Sequence, residues 1–313
     1  MFLAQESDFA TLLLQQVANG VARGSVYALI AVGYTMVYGV LQLINFAHGE
    51  VYMLGAYFAY YPSKWFGYMP EQGEKPPVPI HVALMIAMLA AAACATLGML
   101  IERLAYRPLR DHSRLSALIT AIGVSLLLQN LAQILFGAEP KGFPHFVEVV
   151  PVELGPVQVA NTKIIIVVVA TILMLGLSFF VMKTRPGRAM RACSHDMRTA
   201  KLMGINVNRT ISLTFALGSI LAAVAGVLVA MDQPRVTPMM GLMAGLKAFI
   251  AAVLGGIGSI PGAALGGLLL GVTESVVGTW STTYSEAVSF VLLIGILLVR
   301  PQGLLGKAGR EKV

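Results

Sequence analysis

Charge is scarce in this chain. Only 12% of its 313 residues are Asp, Glu, Lys or Arg, against 57% hydrophobic, and the mean hydropathy is +0.77. That balance excludes an ordinary soluble domain. Cysteine is almost missing: Cys94 sits in an apolar run and Cys193 in a basic segment, a pair that supports neither a disulfide framework nor a metal motif. No Gly-x-x-x-x-Gly-Lys-Ser/Thr run occurs, so the chain does not bind ATP through a P-loop. No His-Glu-x-x-His and no nucleophile elbow is present, which disfavours a membrane enzyme. No cofactor is indicated. The apolar runs lack the paired carboxylates and lysines of a proton- or sodium-coupled pump. A carrier built on such a chain is therefore passive or driven by a separate subunit. The first nine residues include Glu6 and Asp8 and no basic cluster, unlike a cleavable signal peptide.

What fills the chain is hydrophobic length. Residues 82–101, 115–136, 164–182, 210–231 and 248–273 contain no Asp, Glu, Lys or Arg, and each is close to the ~20 residues a helix needs to cross hydrocarbon. Two longer or interrupted regions, 24–63 and 248–299, add further spans. The predicted fold class is an all-α polytopic membrane protein of about eight transmembrane helices. Lys and Arg number four in 102–114, seven in 183–209 and four in 300–313, but two, one and one in 64–79, 137–162 and 232–242. Cytoplasmic loops carry such an excess, which places the first three segments inside and the others outside. The net charge of +7 then reflects topology and anionic headgroups, and calls for no nucleic-acid partner. The outside segments, rich in Pro, Gly and Glu, read as folded surface. Residues 10–23 either form a partial or surface helix, leaving the N-terminus outside, or cross and place it inside. Residues 244–279 must leave on the side they entered, as two short crossings or as a hairpin dipping to mid-membrane.

These two ambiguous regions resemble each other. Residues 40–49 match 253–262 at Val, Leu, Ile and the final Gly, a weak internal repeat joining two broken or re-entrant segments. Such a pair points to a transporter's substrate path, because unwound backbone within a membrane must line a cavity or lie buried in protein. Half-helices starting near 45–49 and 261–262 would aim N–H groups and a positive dipole end at a carboxylate. Asn45, His48, Gly49, Gly258 and Gly262 are the candidate path residues. The competing reading has the glycines serving close packing, with Gly262-xxx-Gly266 and Gly267-xxx-Gly271 as small-residue faces, Asn45 capping a helix and Glu50 at a membrane boundary. Gln129, Asn130, Gln133 and Glu274 read as interhelical contacts.

The basic segment 183–209 contains Lys183, Arg185, Arg188, Arg191, Arg198, Lys201 and Arg209. Its length and partial helicity suit a docking surface in the cytoplasm. Together with Leu43-Ile44-Asn45-Phe46-Ala47-His48-Gly49-Glu50, it carries Arg185-Pro186-Gly187-Arg188-Ala189-Met190-Arg191-Ala192 and Ala200-x-x-x-Gly204-Ile205-Asn206. Further on come Gly255-Gly256-Ile257-Gly258-Ser259-Ile260-Pro261-Gly262-Ala263 and Val299-Arg300-Pro301-Gln302-Gly303-Leu304. In this order the motifs resemble the branched-chain amino-acid ABC transporter permeases of the LivH type, over nearly the whole chain.

The resemblance implies a single permease domain over 1–313, multi-pass in the bacterial inner membrane, with a cytoplasmic coupling loop at 183–209. It implies an importer subunit for leucine, isoleucine and valine that forms the path with a second, LivM-type permease. Two cytoplasmic ATP-binding subunits and a periplasmic substrate-binding protein complete the machine. Arg188, Arg191, Asp196, Arg198, Ala200 and Gly204 are the candidate coupling residues. The wider importer signature Glu-Ala-Ala-x-x-x-Gly is kept here only at Ala200 and Gly204. The alternative from another class is a stand-alone channel or ion-coupled carrier for a small polar solute such as urea or an amide.

Overall fold

The uncharged runs fold as the helices their length demands. In the computed structural model, which describes residues 2–69, 78–110 and 112–306, α3 (Ile80–Ile101), α4 (Arg114–Phe136), α5 (Asn161–Lys183) and α8 (Val207–Asp232) extend the expected spans by three residues or fewer. Most of the outer segment 70–79 and the end of the basic segment 300–313 lie outside the described residues. Residues 10–23 are no surface helix. They continue into residues 24–41 as one rod, α1 (Phe2–Leu41), whose apolar part spans 33 residues, about 50 Å at 1.5 Å per residue. A break at 42–47 precedes α2 (His48–Trp65).

The last third resolves as two short crossings. Helix α9 (Met240–Gly255) and α10 (Ile260–Val277) are about 24 and 27 Å long, and α11 (Thr282–Val299) follows. Among the described residues seven helices are long and apolar enough to span, with α9 as a shorter apolar helix. The expected all-α polytopic architecture is therefore present. Helix α2 has the length of a span but carries His48, Glu50 and four tyrosines; it is buried among other helices, where it needs little hydropathy.

The folded surface expected outside is a pair of small antiparallel elements. Strands β2 (Pro151–Leu154) and β3 (Val157–Ala160) form a hairpin, while β1 (Lys141–Gly142) pairs with β4 (Arg235–Val236). The Gln15 side chain donates to Gln158 O at 2.7 Å and accepts from Gln158 N at 3.1 Å. The N-terminal half of α1 therefore lies at the face that the scarcity of basic residues marks as outer.

Helices α1 and α8 form the interior, with α2, α9 and α10 packed on them. Helices α5 and α11 turn Ile172, Leu175, Phe179, Phe290, Ile294 and Leu298 outward, as lipid-facing helices do. The two small-residue faces of α10 serve different neighbours. Gly262 and Gly266 lie against the backbone of α9 at Gly255 and Ala251; Gly267 and Gly271 lie against Ala28 and Gly24 of α1. Backbones approach this closely only where no side chain intervenes.

At the end marked as inner by its basic residues, α3 continues through a π turn (Glu102–Tyr106) and a 3-10 turn (Arg107–Leu109). There Glu102 pairs with Arg110 and accepts from Ser212 Oγ at 2.6 Å. Arg110 Nη1 also donates to Asn208 Oδ1 at 2.7 Å. Glu102 and Arg110 thus clasp the end of α3 to the start of α8.

Candidate functional site

The two expected breaks sit at matching places in the repeat. The first opens where Gln42 takes a left-handed φ of 55° and α2 restarts at His48. The second spans Gly256 and Gly258, at φ 105° and 96°, conformations that only glycine adopts without strain. Helix α10 restarts at Ile260, where Ser259 Oγ accepts from Gly262 N at 3.2 Å.

Both breaks lie toward the end of the bundle that carries the basic segment and are closed. Asn45 is buried, and its Oδ1 accepts from the Tyr106 hydroxyl at 2.9 Å. It does not cap α2, whose N-cap is Ala47 with no side-chain bond. His48 is buried with its ring 4.8 Å from that of Tyr34 and Nε2 without a partner. Glu50, expected at a membrane boundary, is 1% exposed and accepts from Ser125 Oγ at 3.2 Å. Gly49 rests on Gly241 and Gly245 of α9, and Gly262 on Gly255, while Gly258 faces open space. The crevice between Tyr34, Ile44, Phe249 and Ile257 measures about 10 Å³, roughly room for one water. Glu50 occupies the first turn of α2. Replacing Tyr106→Phe leaves Asn45 Oδ1 buried without its donor; we expect a loss of about 1–2 kcal/mol, measured as a lowered thermal midpoint in detergent.

The open space lies in the outer half. A cavity of about 320 Å³ is lined by Asn19, Arg23, Tyr27, Lys163, Asp232 and Lys247, among others. A second lobe of about 440 Å³ shares Arg23, Tyr27 and Lys247 and reaches Glu274 and Glu286. Lys247 Nζ lies 2.7 Å from Glu274 Oε1, and Arg23 Nη1 lies 3.6 Å from the same oxygen. Lys163 Nζ donates to Asn19 Oδ1 at 2.6 Å, and Thr162 Oγ1 to Asp232 Oδ1 at 3.1 Å.

This lining corrects the expectation that the spans lack paired carboxylates and lysines. Glu274 does make interhelical contacts, but its partners Arg23 and Lys247 escaped the sequence reading. The signal was present. Lys247 and Glu274 are the two residues that bound the uncharged run 248–273. A hairpin of two antiparallel helices brings the ends of its run to one level.

The basic segment, expected in the cytoplasm, folds as two short helices. Helix α6 (Arg185–His195) buries Gly187, Met190 and Cys193 and leaves Arg188 and Arg191 exposed. Residues spaced by three fall on one helix face, so the arginines project from the other. Asp196 caps α7 (Met197–Leu202), accepting from Arg198 N at 2.8 Å and Thr199 N at 3.1 Å. Of the six candidate coupling residues only Ala200 is buried. Gly204 ends the helix at φ 82°, the left-handed stop that favours glycine. Between them Leu202 and Met203 stand 87% and 78% exposed, an apolar tip that the sequence reading, fixed on the arginines, did not single out. The structure gathers the coupling candidates into one surface and the path candidates into two closed breaks, with the outer cavity separate from both.

Comparison with known proteins shows the family. Residues 16–297 match the sequence profile of a family described as the branched-chain amino acid transport system, permease component. The high-affinity branched-chain amino acid transport system permease protein BraD of Pseudomonas aeruginosa is 47% identical over 307 residues, covering 96% of this chain and 98% of that protein. LivH of Escherichia coli K12, which has the same description, is 45% identical over 305 residues, 96% of this chain and 97% of LivH. A probable branched-chain amino acid transport permease of Methanocaldococcus jannaschii is 28% identical over 89% of this chain and 88% of its own length.

Proposed function

This chain belongs to the branched-chain amino acid transport permease family, and from that premise we propose that it imports leucine, isoleucine and valine as one membrane subunit of an ATP-driven transporter. It is a multi-pass membrane protein and a transport component rather than an enzyme. The proposal adds a bacterial inner-membrane location and the partners: a second, LivM-type permease, two cytoplasmic ATPases and a periplasmic binding protein. The observation that carries it is the capped α6–α7 surface with its bare tip at Leu202 and Met203. Apolar side chains this exposed, at the head of a cytoplasmic loop, suit the groove of another protein.

In this reading closure of the ATPases moves residues 188–208. Arg188, Arg191 and Arg198 face the partner, Asp196 and Ala200 hold α7 in shape, and Gly204 returns the chain to α8. The two breaks, with Asn45, His48, Gly49, Gly258 and Gly262, serve as the inner gate. Motion of α8 would part that gate while the outer half closes, a shear between packed helices. Two broken helices suit this task, since their freed backbone groups can exchange partners as the gate opens.

A stand-alone channel or ion-coupled carrier is not favoured by the permease relatives. Proteoliposomes holding the complete complex should accumulate leucine only with ATP inside and binding protein outside. Uphill accumulation by the purified chain alone would overturn the proposal.

A further inference from the structure

The outer cavity has a chemistry that neither the gate nor the coupling surface uses. Three cations, Arg23, Lys163 and Lys247, and three anions, Asp232, Glu274 and Glu286, line its two lobes. A path for an anion or a cation would carry one sign in excess. Equal numbers of both signs suit a solute that carries both.

The central triad is unevenly matched. Arg23 and Lys247 share one oxygen of Glu274, Oε1. The other, Oε2, is buried, and the Tyr27 hydroxyl approaches the same carboxylate. Glu274 has 5% of its side chain exposed, whereas Arg23 keeps 42%. The carboxylate is thus shared among three neighbours, while the Arg23 guanidinium beside it has donors to spare. Arginine has five N–H donors in a planar fork that fits a carboxylate. The wall beyond is apolar: Ala22, Val26, Ile166, Val229 and Met243 complete the first lobe.

We propose that this vestibule binds the zwitterionic head of an α-amino acid. The α-carboxylate lies on Arg23 and Lys247, the α-ammonium replaces them as donor to the Glu274 carboxylate, and the branched side chain lies on the apolar part of the wall. The site is a way-station on the outer side of the closed inner gate. It rests on the importer reading, because it gives that reading's cargo a place to stand.

The test uses the assembled transporter in proteoliposomes and a cysteine at the cavity wall, Ala244→Cys, modified by a small methanethiosulfonate reagent. The two native cysteines are buried and give little background. Leucine should slow modification. Leucinamide, which lacks the carboxylate, and 4-methylpentanoate, which lacks the ammonium, should not. Adding Glu274→Gln should weaken protection by leucine roughly tenfold in concentration, the loss of one charge-assisted bond. If that variant fails to assemble, Arg23→Gln supplies the same reading, since Arg23 is half-exposed and Lys247 still pairs with Glu274.

Equal protection by all three compounds, no protection by leucine, or full protection in both variants would overturn the site. ATP-dependent leucine uptake by the unmodified complex is measured in parallel. Uptake without protection sinks the site alone, whereas the absence of ATP-dependent uptake sinks the importer reading.

Discussion

A permease carrying both Leu202→Asp and Met203→Asp is expected to fold and reach the membrane yet lose its ATPases. In this chain the two side chains are 87% and 78% exposed, so their replacement removes little folding energy. Surface substitutions of this kind usually change stability by about 0.5 kcal/mol or less. At an interface the balance is different, since an apolar anchor in a partner's pocket is worth about 2 kcal/mol or more. Two such losses weaken attachment by roughly two to three orders of magnitude. Co-purification of the ATP-binding subunits and leucine uptake should fall together, while the yield of monodisperse permease stays constant. Undiminished co-purification would show that the tip is not the attachment point. The arginines of α6 would then be the next surface to test.

The second large effect concerns the seam between α1 and α10. Gly271→Leu should abolish the folded bundle. A Cβ at Gly271 would fall on the backbone of Gly24, and backbone cannot step aside as a side chain can. Overpacking in a dense core costs about 1–3 kcal/mol even where side chains can shift, and here two helices must separate along their length. The control is Gly123→Leu on α4, where nothing lies within 4 Å of the added atom. Size-exclusion profiles in mild detergent should show aggregation for the first and a native peak for the second. A native peak for Gly271→Leu would contradict the backbone-to-backbone seam.

Much of this molecule could be read from the chain, for physical reasons that also explain what was missed. A span crossing lipid must be apolar and of fixed length, so α3, α4, α5 and α8 announced themselves within three residues of their ends. Glycines with positive φ and a left-handed Gln42 mark the two breaks, and the repeat placed both. The outer cavity was harder, because its residues come from α1, α5, α8, α9 and α10. Glu274 reads as an interhelical contact with no partner named, and Arg23 and Lys247 are not singled out, since sequence shows a charge without its partner. The competing reading of Asn45 as a local cap fails because its side-chain partner Tyr106 stands 61 residues away. Exposure was equally invisible: Leu202 and Met203 are ordinary apolar letters until the fold leaves them uncovered.

The clasp between the ends of α3 and α8 gives the tip a longer reach than its own loop. Asn208 and Ser212 belong to the first turns of α8, immediately after the tip, and Arg110 and Glu102 tie both to α3. A push delivered at residue 203 is therefore not absorbed by α8 alone but shared with a neighbour 100 positions upstream. Tyr106, seated in the same π turn as Glu102, holds Asn45. If the ATPases dock at the tip as proposed, a mechanical line runs from them, through one carboxylate, to the hinge beside His48.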